Sequence, residues 1–442
     1  MNTTTQLPYP QASHRPLWRR SVACIVCALA LLALAVAAPA QDKPDKQDGK
    51  QEKLPKYKID KYTKNKPEAL AQAGYVTYGP MSFGGLGSGV ATTTTIEKTL
   101  PYAPLIWIET KHFRIGMDLP EWPVPTDLET RNKLRRELER LHEKIPEVPL
   151  KAPRVLDPWL RAHLFAQRAE DVYAEFCTLA GLKDEDFPAD ASKVVAAPGS
   201  VYMGYGPYLG MKEKYLLLMF ENMTSFQTYM KAYLGRESKS GQRWHFKDVS
   251  CLIYTIASEC DGGRLKDDTA LHCNVAFNLS QNLLDGFRYY AYDLPVWIRE
   301  GLGHWFERRI DPKWNSYDQT EGSPADYKAT WRWEPLIKGF VSGSGGKFAP
   351  FSEAYAWRDF GTITFNDHLA IWSRVDWMLS QDKAKWRALL FEVKGRINPD
   401  WTPNQNDLVG AMREGLQKAY GVSVLSFDEK WAEWVKATYP SQ

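Results

Sequence analysis

The stretch FNLSQNLLDGFRYYAYDLPVWIREGLGHWFERR, from Phe277 to Arg309, decides the fold. Both of its halves carry apolar residues at helical spacing, and a polar, aromatic bend separates them. The pattern predicts one helix over residues 269–284 and a second over residues 295–310, with Asp293 as the second helix's cap and Pro295 near its start. At about 100° per residue, Leu271, Val275, Leu279 and Leu283 form an apolar stripe, while Asn274, Phe277, Asn278 and Gln281 collect on the other side. On the second helix Glu300, His304 and Glu307 follow one another at spacings of four and three, so they share a face.

Zinc peptidases of the HExxH type put two imidazoles four residues apart on one helical face. Both then reach one ion, and the Glu between them deprotonates the bound water. In the gluzincin branch a Glu on the next helix is the third ligand. The segment LPVWIREGLGHWFE, residues 294–307, resembles the Pro-x-Trp-x-x-Glu-Gly-Leu-Ala-Glu-Tyr-Phe segment of the secreted peptidase-MA-like gluzincin families. FNLSQNLL resembles their His-Glu-Leu-Thr-His-x-Leu-Leu pattern. The resemblance places Glu300 at the third-ligand position, Phe277 at the first His, Asn278 at the catalytic Glu and Gln281 at the second His. Gln281 and Glu300 are 19 residues apart (300 − 281), as gluzincin geometry needs. Outside the two core helices it continues more weakly, from Pro104 to Tyr439, through WIETKHFRI, KYLLLMFENMTSFQTYM, HLAIWSRVDWML and AYGVSVLSFDEKWAEWVKATY. It implies an α+β, gluzincin-like fold: a small mixed β-sheet with helices, then a mainly helical half.

The departures from that pattern decide the chemistry. Phe277 offers no lone pair, Asn278 cannot take a proton near neutral pH, and Gln281 offers only a weak carbonyl oxygen. Glu300 alone remains, and one carboxylate does not hold zinc tightly. The expectation is therefore no catalytic residue, no metal ligand set and no zinc. A shifted register with His272 as the first His fails, because His272 falls roughly opposite Gln281 and toward the core. His304, four residues after Glu300, allows a rebuilt metal or acid–base site of Glu300, His304 and a distant group, against the plainer reading of a helix-surface pair. His368 and His245 read as ordinary helix-end or strand histidines. No serine or cysteine nucleophile sits in a strand-turn-helix elbow.

Before this core, residues 104–265 read as a small α/β subdomain. PLIWIETKHFRIGMDLP predicts two strands; helical patterns follow through Leu134 to Ile145 and over residues 158–182; KYLLLMFE is a buried strand, TSFQTYMKAYLG a helix and SCLIYTIAS another strand. After the core helices (266–310), residues 311–439 read as a helical subdomain with helices at 366–380, 383–394, 405–420 and 426–438 around the loop VSGSGGKFAP. The Gly-rich region within residues 67–103 lacks dinucleotide or phosphate-loop spacing and reads as a loop or hairpin.

At the N-terminus, Arg15, Arg19 and Arg20 precede an apolar run that ends in Ala38-Pro39-Ala40, the pattern of a signal peptide over residues 1–40, with an uncleaved anchor as the alternative. Residues 41–66 are Lys- and Asp-rich and read as a disordered linker. Export leaves Cys177, Cys251, Cys260 and Cys273, of which Cys251 and Cys260 are the pair most easily bridged, four free buried thiols being the alternative. The net charge of +3, with dispersed basic residues, gives no support to nucleic-acid binding. Seventeen Trp residues either line a glycan-binding surface or fill the core. Three roles follow: an exported, catalytically inactive gluzincin-like protein with a binding or structural task; a hydrolase rebuilt around Glu300 and His304; or a module binding a cell-envelope polymer or glycan. None requires a membrane span once the signal is removed, and a protein or envelope polymer is the partner class in view.

Overall fold

The computed structural model describes residues 54–87, 89–193, 201–317 and 331–441; the expected signal segment, and the part of the expected linker before residue 54, lie outside them. From Leu54 onward the chain forms one compact unit of mixed α/β structure. Among the described residues no helix is long and apolar enough to cross a membrane.

A five-stranded mixed sheet lies at its centre, in the order Ile106–Glu109, Phe113–Met117, Tyr215–Phe220, Cys251–Ala257, Gln242–Phe246. The middle strand is buried at every position, as its unbroken apolar run YLLLMF requires when both faces are covered. It runs parallel to both neighbours, and each edge strand is antiparallel to its own. Parallel pairing needs long crossovers. The first contains the helices Leu128–Lys144 and Pro158–Ala180, and the second the helix Met223–Tyr229, prolonged by a π-helical turn to Leu234. Asp157 caps the Pro158–Ala180 helix by accepting from the N–H groups of Trp159 and Leu160. Gly181 ends it at φ 59°, a conformation that suits glycine best.

The first core helix spans Asp268–Gly286 and is capped by Asp267, which accepts from the Thr269 and Ala270 N–H groups. The second spans Val296–Ile310. Its N-cap is Pro295 without a side-chain cap bond, so Asp293 does not play the capping part expected of it. The Val296 N–H instead donates to the carbonyl of Trp357 at 3.0 Å. The helices Phe365–Ser380, Lys383–Val393, Leu408–Tyr420 and Phe427–Thr438 complete the helical half. Two glycines on the second core helix allow its neighbours to approach. A Cβ on Gly303 would stand 2.7 Å from Phe277 of the first core helix, and one on Gly301 would stand 2.6 Å from Val375 of the Phe365–Ser380 helix.

Three expectations need correction. The packed chain begins before Lys66: Asp60, Tyr62 and Thr63 are buried, and Asp60 meets His163 at 3.1 Å, so composition understated how far this polar segment is tied down. The region 67–103 holds the helices Pro67–Ala73 and Thr93–Thr99 beside its expected hairpin, Ser82–Leu86 with Gly89–Thr92. No bridge joins Cys251 to Cys260; all four described cysteines are free and buried. The strand Cys251–Ala257 starts at Cys251 and ends three residues before Cys260, and at roughly 3.3 Å per residue its length exceeds the Cα separation a disulfide can span.

Candidate metal centre and the groove beside it

Glu300, His304 and Glu307 lie on one face of the second core helix and are wholly buried. The helix turns this face toward the first core helix, where Phe277 and Gln281 are equally buried. The ring centroids of Phe277 and His304 are 5.2 Å apart, and the Gln281 amide nitrogen would be 3.0 Å from a Cβ on Gly303. The structure thus brings Phe277 and Gln281 against the helix that carries Glu300.

Glu300 does not bond across to Gln281 or Asn278. Neither amide atom of Gln281 has a hydrogen-bond partner. Asn278 Nδ2 donates back to the carbonyl of Asn274 at 2.9 Å, one helical turn earlier. Glu300 Oε2 instead lies 3.8 Å from His304 Nε2 and 3.5 Å from His368 Nδ1. The two imidazole nitrogens are 3.0 Å apart. His368 stands in the first turn of the Phe365–Ser380 helix, whose N-cap Thr364 accepts from the Asp367 N–H while Asp367 bonds back. It is therefore no incidental helix-end residue, as its local sequence suggests, but the third member of a buried cluster.

Glu307 supports the cluster from behind. Its Oε1 lies 2.7 Å from His304 Nδ1, and the Ser316 N–H donates to both carboxylate oxygens at 3.0 and 2.9 Å. Burial holds the His304 pKa well below its ordinary value, aided by His368 and Arg308. Burial likewise pushes Glu307 well above the usual carboxylate range, against the opposing Ser316 bonds. Aromatic rings wall the site: Trp333 at 5.1 Å and Tyr317 at 5.5 Å from the His304 ring, and Tyr317 at 4.7 Å from that of His368.

The residues at the HExxH positions do not fit the zinc that the resemblance would imply there. A phenyl ring and two carboxamides supply neither the imidazole pair nor the base, so no step of peptide hydrolysis follows from them. His272 gives no substitute. It is half-buried in a different groove beside Glu137, Arg168 and Asp268, rather than in the core, and 3.9 Å from Glu137. Burial, then the Arg168 charge, holds its pKa well below the ordinary value.

Beside the two core helices an open groove of about 680 Å³ runs along the edge strand Gln242–Phe246. Arg236, Arg243, Lys247 and Arg299 line it with positive charge, against the single carboxylate of Asp285. Arg243 and Arg299 reach that carboxylate at 3.1 and 3.2 Å. Asn278 and Asn282 form part of the floor; both amide atoms of Asn282 are buried without a hydrogen-bond partner. His245 lies in the strand, stacked on Tyr290, and burial with the Lys247 charge pushes its pKa down to about 4. Of the described tryptophans none is exposed and ten are buried in the core, while half-buried Trp244 lines this groove.

Compared with family models, with curated proteins and with solved structures, the chain matches none.

Proposed function

We propose that the chain is an exported, non-hydrolytic gluzincin-like protein that keeps its cleft as a groove for an extended, carboxylate-bearing ligand. The observation that carries this reading is the placement of Phe277 and Gln281, buried against the Glu300 helix at the positions where zinc would need imidazoles. Asn278, which the resemblance puts at the catalytic Glu, is turned to its own helix backbone and offers the groove no base. The charges of the groove support the ligand class: four cationic side chains face one carboxylate, and Tyr290, Tyr292 and Phe360 supply flat apolar sides. The Arg-rich start, apolar run and Ala-Pro-Ala ending of residues 15–40 support export. A hydrolase rebuilt on Glu300 and His304 is the weaker reading, because the wholly buried carboxylate and imidazole give substrate no approach.

Two measurements test it. Zinc-supplemented protein incubated with a mixed peptide pool should show no turnover; turnover abolished by Glu300→Gln with the fold intact refutes the reading. Titration with oligogalacturonate as the acidic probe should show binding that weakens with salt and with the Arg236→Ala/Lys247→Ala double variant, both side chains lying on the groove. Equal affinity for a neutral oligoglucoside, or no binding to either, refutes the ligand class.

A further inference from the structure

We propose that Glu300, His304 and His368 hold one divalent transition-metal ion, zinc by preference, as a buried clamp between the second core helix and the Phe365–Ser380 helix. This goes beyond the groove reading and stands or falls apart from it.

The argument is geometric first. The three facing atoms are Glu300 Oε2, His304 Nε2 and His368 Nδ1, with separations of 3.8, 3.5 and 3.0 Å. A triangle of these sides has a point about 2.0 Å from every corner, the length of a zinc–imidazole or zinc–carboxylate bond. Tetrahedral zinc with bonds of that length sets its donors roughly 3.3 Å apart, close to the mean of the three sides. A hydrogen-bonded histidine pair alone accounts for the 3.0 Å contact but gives no reason for a carboxylate oxygen to converge on the same point.

The surroundings match what a bound ion asks of a protein. His304 turns its other nitrogen to Glu307, which the Ser316 N–H fixes in turn; such a carboxylate behind a ligating imidazole sets its tautomer and orientation. Two imidazoles and one carboxylate suit zinc better than calcium or magnesium, which prefer oxygen donors. Gln281 is the candidate for a fourth donor. Gln281 is fully buried, its amide has no hydrogen-bond partner, and it packs at Gly303, the neighbour of His304. We assign its carbonyl oxygen to the fourth position. Among the described residues Phe277, Tyr317 and Trp333 pack around fully buried Glu300 and His304, so the ion's task is structural.

The test uses the full mature chain, isolated without added metal and dialysed against a mild chelator before elemental analysis. The expected result is one zinc per chain, restored after stripping by added zinc, and intense visible absorption bands of tetrahedral cobalt when cobalt replaces it. His368→Gln and Glu300→Gln should each lose the metal while circular dichroism shows the helices retained; Gln281→Leu should keep zinc but alter the cobalt spectrum. If a ligand variant does not fold, thermal stability of the wild type decides the matter: a loss on adding chelator, reversed by zinc, supports the clamp, and no change overturns it. Stripped wild-type protein that takes up no zinc overturns the proposal, and so does undiminished zinc in folded His368→Gln. Neither outcome touches the groove reading, which peptide turnover or the failed binding contrast would remove.

Discussion

Replacing Gly303 with Ala tests the apposition on which the site rests, because its sign is fixed by the structure. In an unobstructed helix interior the change from Gly to Ala gains about 1 kcal/mol from reduced backbone entropy. Here the added methyl would stand 2.7 and 2.8 Å from two ring carbons of Phe277 and 3.0 Å from the Gln281 amide nitrogen. Phe277 is enclosed on all sides, so the ring cannot swing away, and overpacking of this kind costs roughly 1–3 kcal/mol. A clash with a caged ring belongs at the upper end, leaving a net loss of about 1–2 kcal/mol. The assay is urea unfolding followed by far-ultraviolet circular dichroism, with the midpoint as readout. The double variant Gly303→Ala/Phe277→Leu should recover part of the loss, giving a coupling on the order of 1 kcal/mol. A raised midpoint in Gly303→Ala, or strict additivity in the double variant, would show that the two helices do not meet at these residues.

Other outcomes follow from the same structure. Asp60 is buried, which raises its pKa, but bonds from His163, Thr63 and the Tyr62 N–H outweigh burial and hold it below the usual carboxylate value. Its contribution is therefore present above the unfolded value of about 4 and lost as pH falls below it. Asp60→Asn should cost about 3–5 kcal/mol at neutral pH and flatten the stability profile below pH 4; an unchanged acid limb would contradict the buried pairing. The free thiols are pushed up by burial, Cys177 and Cys251 to about 12 and Cys260 to about 11, while Cys273 lies well above its ordinary value. A thiol reagent at neutral pH should leave all four unlabelled in the folded protein and label all four after denaturation, whereas fewer labelled after denaturation would reveal a disulfide. Asp268 bonds Arg161 at 3.1 Å and Arg168 at 2.7 Å. Asp268→Ala leaves two buried guanidinium groups short of a partner and should destabilise by about 3–5 kcal/mol, against a small effect if that network were solvated.

Long periodic segments were legible in the sequence because their burial is continuous. The core helices, the strand Tyr215–Phe220 and the closing helix all fall within a few residues of their expected positions. The edge strand Gln242–Phe246 was not, since only one of its residues is buried and QRWHF carries no clear alternation. The polar segment around Asp60 escaped for another reason: its partner His163 lies 103 residues away, and pairing at that range leaves no trace in local composition. The same holds at the site. Glu300 and His304 were visible from their helical spacing, whereas His368, 64 residues beyond His304, reaches them only because the Phe365–Ser380 helix packs close at Gly301. Phe277 and Gln281 were placed opposite Glu300 by the resemblance, with which the 19-residue spacing agrees, and they pack against its helix. Where Glu300 would direct its carboxylate could not be read, because that depends on a third helix.

X-ray absorption at the zinc edge of the zinc-loaded wild-type chain addresses the centre directly. The account predicts a single shell of nitrogen and oxygen neighbours at about 2.0 Å, with the outer scattering of two imidazole rings and none from sulfur. A spectrum of hydrated, loosely held zinc, or one showing fewer than two imidazoles, would contradict the assignment of Glu300, His304 and His368.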